Sequence, residues 1–177
     1  MSIIRDPSLA GAGINTYIYP GCGFGGYSLP KDTAALDAVA HSRGFTPRIL
    51  EDVISLNHEM PDLTARAIVR AAGENAEKIG ILGLSFKPGS DDVRDSPAAK
   101  IIETLIEDGY SDIYTYDPLA MKEFQEAYGL PVTYCASARE VCEACETVAL
   151  VTAWEEFKEV DKRFPDDTFV DCRYSLG

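Results

Sequence analysis

Basic residues are scarce in this chain. Sixteen Lys and Arg stand against 29 Asp and Glu, a formal net charge of -13 at pH 7, which argues against a phosphate-backbone partner and against an anionic membrane surface. Long apolar runs are also lacking. None approaches the roughly 18 residues of a membrane span, and residues 1–7 contain Arg5 and Asp6 but no apolar signal core, so a cytoplasmic location is expected. The cysteines lack a framework: Cys22, Cys135, Cys142, Cys145 and Cys172 are odd in number and irregular in spacing, which predicts reduced thiols and no disulfides. Cys142-x-x-Cys145 sits among helix-forming residues with no second ligand pair at a zinc-site distance, so it reads as two small buried residues and no metal is expected. What the chain does have is apolar mass. With 46% hydrophobic and 25% charged residues over 177 positions it can bury a sizeable core as one domain or two small ones, which excludes disorder.

The first thirty residues are rich in Gly, Pro and Tyr and read as irregular structure. From Pro30 a helix of about three turns is expected, with Asp32 near its start and Gly44 at its end. Ile49, Val53, Leu56, Met60, Leu63 and Ala67 then recur four and three apart, one stripe of a helix over 48–72, with a kink or restart expected near Met60 because Pro61 removes a backbone hydrogen bond. Such a stripe packs either on a symmetry mate or on its own chain. Beyond Gly73 short apolar runs alternate with helical stretches. Strands are expected at 79–86, 113–116, 131–134, 148–152 and 168–171, and helices at 97–107, 119–128 and 138–146. That alternation means right-handed crossovers and a doubly wound parallel sheet. The expected fold class is α/β: a helical dimerisation segment over 1–75 followed by a Rossmann-like domain over 76–177.

Gly21-Cys22-Gly23-Phe24-Gly25-Gly26 satisfies G-x-G-x-x-G, yet Pro20 precedes it and no βαβ unit surrounds it, so the context is wrong for a dinucleotide fingerprint. Its glycines leave backbone N–H groups open to an anion or a sugar hydroxyl beside a helix start, or else form a plain turn.

The longer window from Tyr17 to Asp32, Tyr-Ile-Tyr-Pro-Gly-Cys-Gly-Phe-Gly-Gly-Tyr-Ser-Leu-Pro-Lys-Asp, resembles the substrate loop G-[FY]-G-G-x-C-x-P-K-D of the UDP-glucose/GDP-mannose dehydrogenase family in every fixed position except one. Phe86-Lys87 through Asp92-Val93-Arg94-Asp95-Ser96 resembles the family's F-K-x-x-x-x-D-x-R-x-S loop, and Tyr116-Asp117-Pro118 and Asp171-Cys172-Arg173 fall at its Y-D-P and D-x-R. The resemblance implies a dimerising helix and a C-terminal α/β domain for the nucleotide of a UDP-sugar. It implies, for the parent reaction, NAD-dependent two-step oxidation of the sugar C6 alcohol to a carboxylate through a cysteine thioester. A thiol suits that capture because its pKa of roughly 8.5 lets local charges make it a thiolate.

Residue by residue, the resemblance places Ser28 at the nucleophilic cysteine position and Asp32 at an aspartate that orients water at the reacting centre. Tyr17 matches an aromatic at the nucleotide, Gly21, Gly23, Phe24, Gly25 and Gly26 line the sugar, Lys87 contacts substrate, and Lys31 and Arg94 lie near the NAD cofactor. A serine without an adjacent base is a far weaker nucleophile, Cys22 is a poor substitute for it, and neither His41 nor His58 is placed to activate it. The family's arginine upstream of the loop has only Arg5 as a weak replacement. The chain resembles only the family's last two parts, so no NAD is expected on it alone. The readings that follow are a nucleotide-sugar dehydrogenase fragment with the parent reaction lost, half of an enzyme completed in trans by an NAD-binding chain, and a non-catalytic nucleotide-sugar-binding or dimerisation module.

Overall fold

A computed structural model describes residues 21–74 and 76–176. Two helices come first, α1 (Ser28–Ser42) and α2 (Arg48–Ala72). There follow β1 (Lys78–Leu82), α3 (Pro97–Glu107), β2 (Asp112–Tyr116), α4 (Met121–Tyr128), β3 (Thr133–Tyr134), α5 (Ala138–Ala144), β4 (Thr147–Leu150), a 3-10 turn (Glu155–Phe157), α6 (Val160–Arg163) and β5 (Thr168–Asp171). The strands form one sheet in the order β3-β2-β1-β4-β5, every neighbouring pair parallel. This is the doubly wound α/β arrangement, with its switch point between β1 and β4.

Local chemistry sets the helix ends. Ser96 caps α3, its hydroxyl accepting from the Ala98 N–H, and Pro97 occupies a first-turn position where its missing N–H costs nothing. Gly44, with φ of 74°, closes α1 as its N–H donates to the His41 carbonyl while Phe45 N–H donates to Ala40.

Alternation along β1 builds two cores. Ile79 and Ile81 join α3, Phe124 of α4 and Ala65 and Ile68 of α2 on one face, and Leu82 joins Val141, Cys142, Val148, Leu150, Phe157 and Val160 on the other. The first core reaches back across residue 75 to take Ala65, Ile68 and also Cys22 from the glycine-rich segment that precedes α1. Thus α2 divides along its length. Pro61, Thr64, Ala65 and Ile68 are buried, whereas Ile49 is 82% exposed and Val53, Leu56 and Leu63 are also bare.

Several boundaries differ from expectation. The helix over 48–72 runs through Pro61 without restarting; Thr64 Oγ1 donates to the Met60 carbonyl at 2.8 Å beside the missing bond. The strand expected over 79–86 stops at Leu82 because Gly83 adopts a φ of 96° and the next two N–H groups turn to a side-chain carboxylate. The first helix starts at Ser28 rather than Pro30. The 3-10 turn and α6 give too short a period to read in the sequence.

Gly80 is where α5 meets the sheet: a Cβ there would lie 2.6 Å from Val141 Cγ1 and 3.0 Å from Val148 Cγ2. Gly80→Ala should therefore cost about 1–3 kcal/mol through overpacking. Urea denaturation should show a lower midpoint at unchanged slope, and an unchanged midpoint would contradict this packing.

Candidate functional site

Open α/β sheets bind ligands beyond the carboxyl ends of the strands at the switch point. Here the segment leaving β1 is shaped there by one carboxylate. Asp117, buried just after β2, accepts through Oδ2 from the N–H groups of Leu84 (2.8 Å) and Ser85 (3.1 Å), from Ser85 Oγ (3.1 Å) and from Trp154 Nε1 (3.1 Å). Its Oδ1 accepts from the N–H groups of Leu119 and Ala120, both at 2.9 Å. The ends of β1, β2 and β4 are therefore tied to one side chain. Ser96 Oγ and Thr152 Oγ1 add bonds to the Leu84 and Ser85 carbonyls, both at 2.6 Å, and Tyr128 Oη holds the Val93 carbonyl at 2.7 Å. Asp95 takes a left-handed conformation, φ 49°, within this braced loop.

Against that loop lies the glycine segment, residues 21–26. Gly26 N–H donates to the Arg94 carbonyl at 2.8 Å. A Cβ on Gly25 would overlap the Asp95 carbonyl, and one on Gly26 would come 2.8 Å from the Phe86 ring. On the other side, the Asn57 amide of α2 grips one residue twice: its Oδ1 accepts from Phe24 N–H at 2.7 Å and its Nδ2 donates to the Phe24 carbonyl at 3.0 Å. Gly23, with φ of 102°, passes so close that a Cβ would lie 3.1 Å from Asn57 Oδ1. Gly21 rests on Arg173, whose Nε donates to the Val151 carbonyl at 2.7 Å. The N–H groups of Phe24 and Gly26 are thus spent on protein acceptors, and the glycines at 25 and 26 serve close backbone packing. Of the two readings of the segment, open N–H groups or a plain turn, these two N–H groups follow neither: they hold the segment to α2 and to the loop after β1. Asn57 escaped the sequence reading; its only signal was a polar side chain beside the apolar stripe of α2.

The charged residues gather where the two loops meet. Arg94 Cζ lies 4.8 Å and Lys31 Nζ 5.2 Å from the centre of the Tyr27 ring, and Lys87 Nζ lies 5.4 Å from that of Phe86. Arg94 also forms a fork with Asp92, Nε to Oδ1 at 2.9 Å and Nη2 to Oδ2 at 2.6 Å, and this side-chain hydrogen bond holds the Asp92 carboxyl below the usual range. Ser28 is exposed at the first position of α1, and its hydroxyl makes no hydrogen bond among the described residues. Asp32 lies beyond the first turn of α1 and pairs with Lys31 at 2.7 Å, both side chains more than half exposed, so it does not serve as a first-turn acid for the helix amides. Tyr17 and Arg5 lie outside the described residues.

No thiol replaces the serine. Cys22 is wholly buried with its Sγ toward the Val151 carbonyl, and burial pushes its thiol up. Cys142 and Cys145 are buried as expected, each pushed up to about 12 by desolvation, which disfavours the thiolate that a metal or a redox partner needs.

The arrangement matches known proteins along most of its length. Residues 80–177 match the UDP-binding domain of the UDP-glucose/GDP-mannose dehydrogenase family and residues 3–59 match its central domain. The UDP-glucose 6-dehydrogenase of Haloferax volcanii is 32% identical over 150 residues, 85% of this chain and 34% of that protein. A UDP-glucose dehydrogenase structure from Pyrobaculum islandicum superposes with a TM-score of 0.82 at 32% identity, covering 96% of this chain and 40% of that one. A ternary complex of GDP-mannose dehydrogenase from Pseudomonas aeruginosa gives 0.80 at 28% identity, covering 90% and 38%. The chain therefore spans about a third of the length of the curated relatives it matches.

Replacing Asp117 by Ala would leave four backbone N–H groups and the Trp154 indole without their acceptor, while the Ser85 hydroxyl would keep the Lys87 carbonyl at 3.0 Å. The expected cost is about 3 kcal/mol or more. A denaturant midpoint within error of the parent chain would show that the carboxylate does not hold the loops.

Proposed function

The chain belongs to the UDP-glucose/GDP-mannose dehydrogenase family, and on that premise we propose that it binds a UDP-sugar on the surface where residues 21–32 and 83–96 meet. The observation that carries this reading is charge placement. In a chain of net charge -13, Lys31, Lys87 and Arg94 converge beside the N-terminus of a 15-residue helix, whose unpaired first-turn N–H groups add partial positive charge. Lys31 pairs with Asp32 and Arg94 with Asp92, so the cation of the three left without a carboxylate partner within 4.0 Å among the described residues is Lys87, and a nucleoside diphosphate sugar, the ligand class of the family, is an anion it can meet. Lys87 supplies a point charge to a phosphate or a sugar hydroxyl, Phe24 and the glycines shape the sugar's wall, and Tyr17 is assigned to the nucleotide.

For the chemistry, NAD when bound would accept the hydride from the sugar C6, and Lys31 and Arg94 are the residues that would face it. This chain's own contribution at the reacting carbon is Ser28. Among the described residues its hydroxyl makes no hydrogen bond, and His41, engaged with Asp37 and Glu51, lies more than three turns further along α1. A neutral hydroxyl at that place does not capture an aldehyde as a thiolate does, so the covalent step of the parent reaction is lost and binding remains.

The bare stripe Ile49, Val53, Leu56 and Leu63, with Leu36 and Val39 of α1 beside it in sequence, favours a homodimer through α2. Light scattering should then report twice the 19.3 kDa chain mass, and a monomer at all concentrations would remove the dimer.

Calorimetric titration with UDP-glucose tests the binding. Saturable heat is expected, weaker for a GDP-sugar, and Lys87→Ala should weaken affinity by about tenfold or more. No saturation, or an affinity indifferent to Lys87, would sink the site. Added NAD should yield no NADH from UDP-glucose, and steady turnover would overturn the role given to Ser28.

A further inference from the structure

The fold brings together three metal-ligand side chains that the sequence keeps apart. Asp37 and His41 stand four residues apart on α1, and Glu51 stands in the first turn of α2. Residues four apart on a helix share a face, and the Gly44 turn folds α2 back so that Glu51 meets them. His41 Nε2 lies 2.7 Å from Glu51 Oε1 and 3.6 Å from Asp37 Oδ1, and the three ligand atoms all lie within 4.8 Å of one another.

Two features distinguish this cluster from an ordinary surface ion pair. Asp37 Oδ1 is shielded from solvent and has no hydrogen-bond donor among the described residues, an arrangement that costs free energy unless a cation completes it. Neither carboxylate pairs with a Lys or Arg among the described residues, so the only protein cation within reach is the imidazole itself when protonated.

We infer that Asp37, His41 and Glu51 form a binding site for a divalent transition ion of the zinc type. One imidazole nitrogen and two carboxylate oxygens are a donor set that Zn²⁺ accepts, with bonds of about 2.0–2.2 Å. Such bonds place neighbouring ligand atoms about 3.3 Å apart in a tetrahedron, within about 1.5 Å of the separations here. Partial exposure of all three side chains leaves water to fill the remaining position. Binding uses the Nε2 lone pair of the neutral imidazole, whose proton then resides on Nδ1; an imidazolium would release one proton as the metal enters.

The ion would staple α1 to α2. That matters because α1 buries no residue of its own, yet its first turns carry Ser28, Lys31 and Asp32. The metal would lie about 17 Å from Ser28 along the helix, so it acts on the order of α1 and takes no part in chemistry at the sugar. The inference is independent of the nucleotide-sugar reading.

Calorimetry of the full chain with zinc chloride at neutral pH tests it. One ion per chain is expected, with micromolar affinity and a rise in melting temperature of about 5–10 °C at a hundredfold excess over Kd. His41→Ala, His41→Gln and Glu51→Gln should each weaken binding at least tenfold, while Asp52→Asn, one residue along, should leave it unchanged; circular dichroism checks that each variant is folded. Cobalt substitution separates this site from the cysteines, since imidazole and carboxylate ligands give no thiolate charge-transfer band. Absence of saturation up to about 1 mM, binding indifferent to both His41 variants, or a thiolate band with cobalt would each overturn the site. In the first case the cluster is an imidazolium ion pair only.

Discussion

The carboxylate of Asp117 is the constraint on which the site depends. Three strands end at the same edge of the sheet, and the segments leaving them diverge, so their first N–H groups have no ladder partner. One buried acceptor with two oxygens meets that need for the segments after β1 and β2, and takes the indole of Trp154 after β4 as well. With residues 84 and 85 anchored, the loop that carries Lys87 and Arg94 has a defined start, and Ser96 at the cap of α3 gives it a defined end.

The second half of the site comes from outside the sheet. Residues 21–26 hold no regular structure, and they reach their place by backbone contact with neighbours on both sides. Such contact is closer than any side chain permits, which is why the segment is built from glycine. The Asn57 amide then substitutes for a strand neighbour, giving one acceptor and one donor to the same residue. The helix that supplies Asn57 also carries the bare apolar stripe, so loop position and the state of that helix face are physically linked.

Charge and reactivity part company at this place. The cations Lys31, Lys87 and Arg94 surround Tyr27 and Phe86 in a way that suits an anionic ligand. Ser28, in the first turn of the helix that carries Lys31, has an alcohol that stays protonated at neutral pH, where a thiol can become a thiolate. Cys22 is within the same segment and is closed off in the core.

Periodicity and punctuation in the sequence determined the α/β class, the order of the elements, α3 over Pro97–Glu107, the extent of α2 and the inert burial of Cys142 and Cys145, because each of these depends on residues close together in the chain. The two loop motifs were legible as well, since glycine, lysine and proline at fixed spacing leave a local mark. Tertiary structure alone decided where the strand after Lys78 stops, that Phe24 and Gly26 give their N–H groups to Asn57 and Arg94, that Asp32 turns to Lys31, and that His41 meets Glu51. The partners in these contacts lie up to 68 positions apart, as Gly26 and Arg94 do, and no local pattern encodes such a distance: hydrogen-bond satisfaction of buried backbone, which selects them, is settled only when the layers pack.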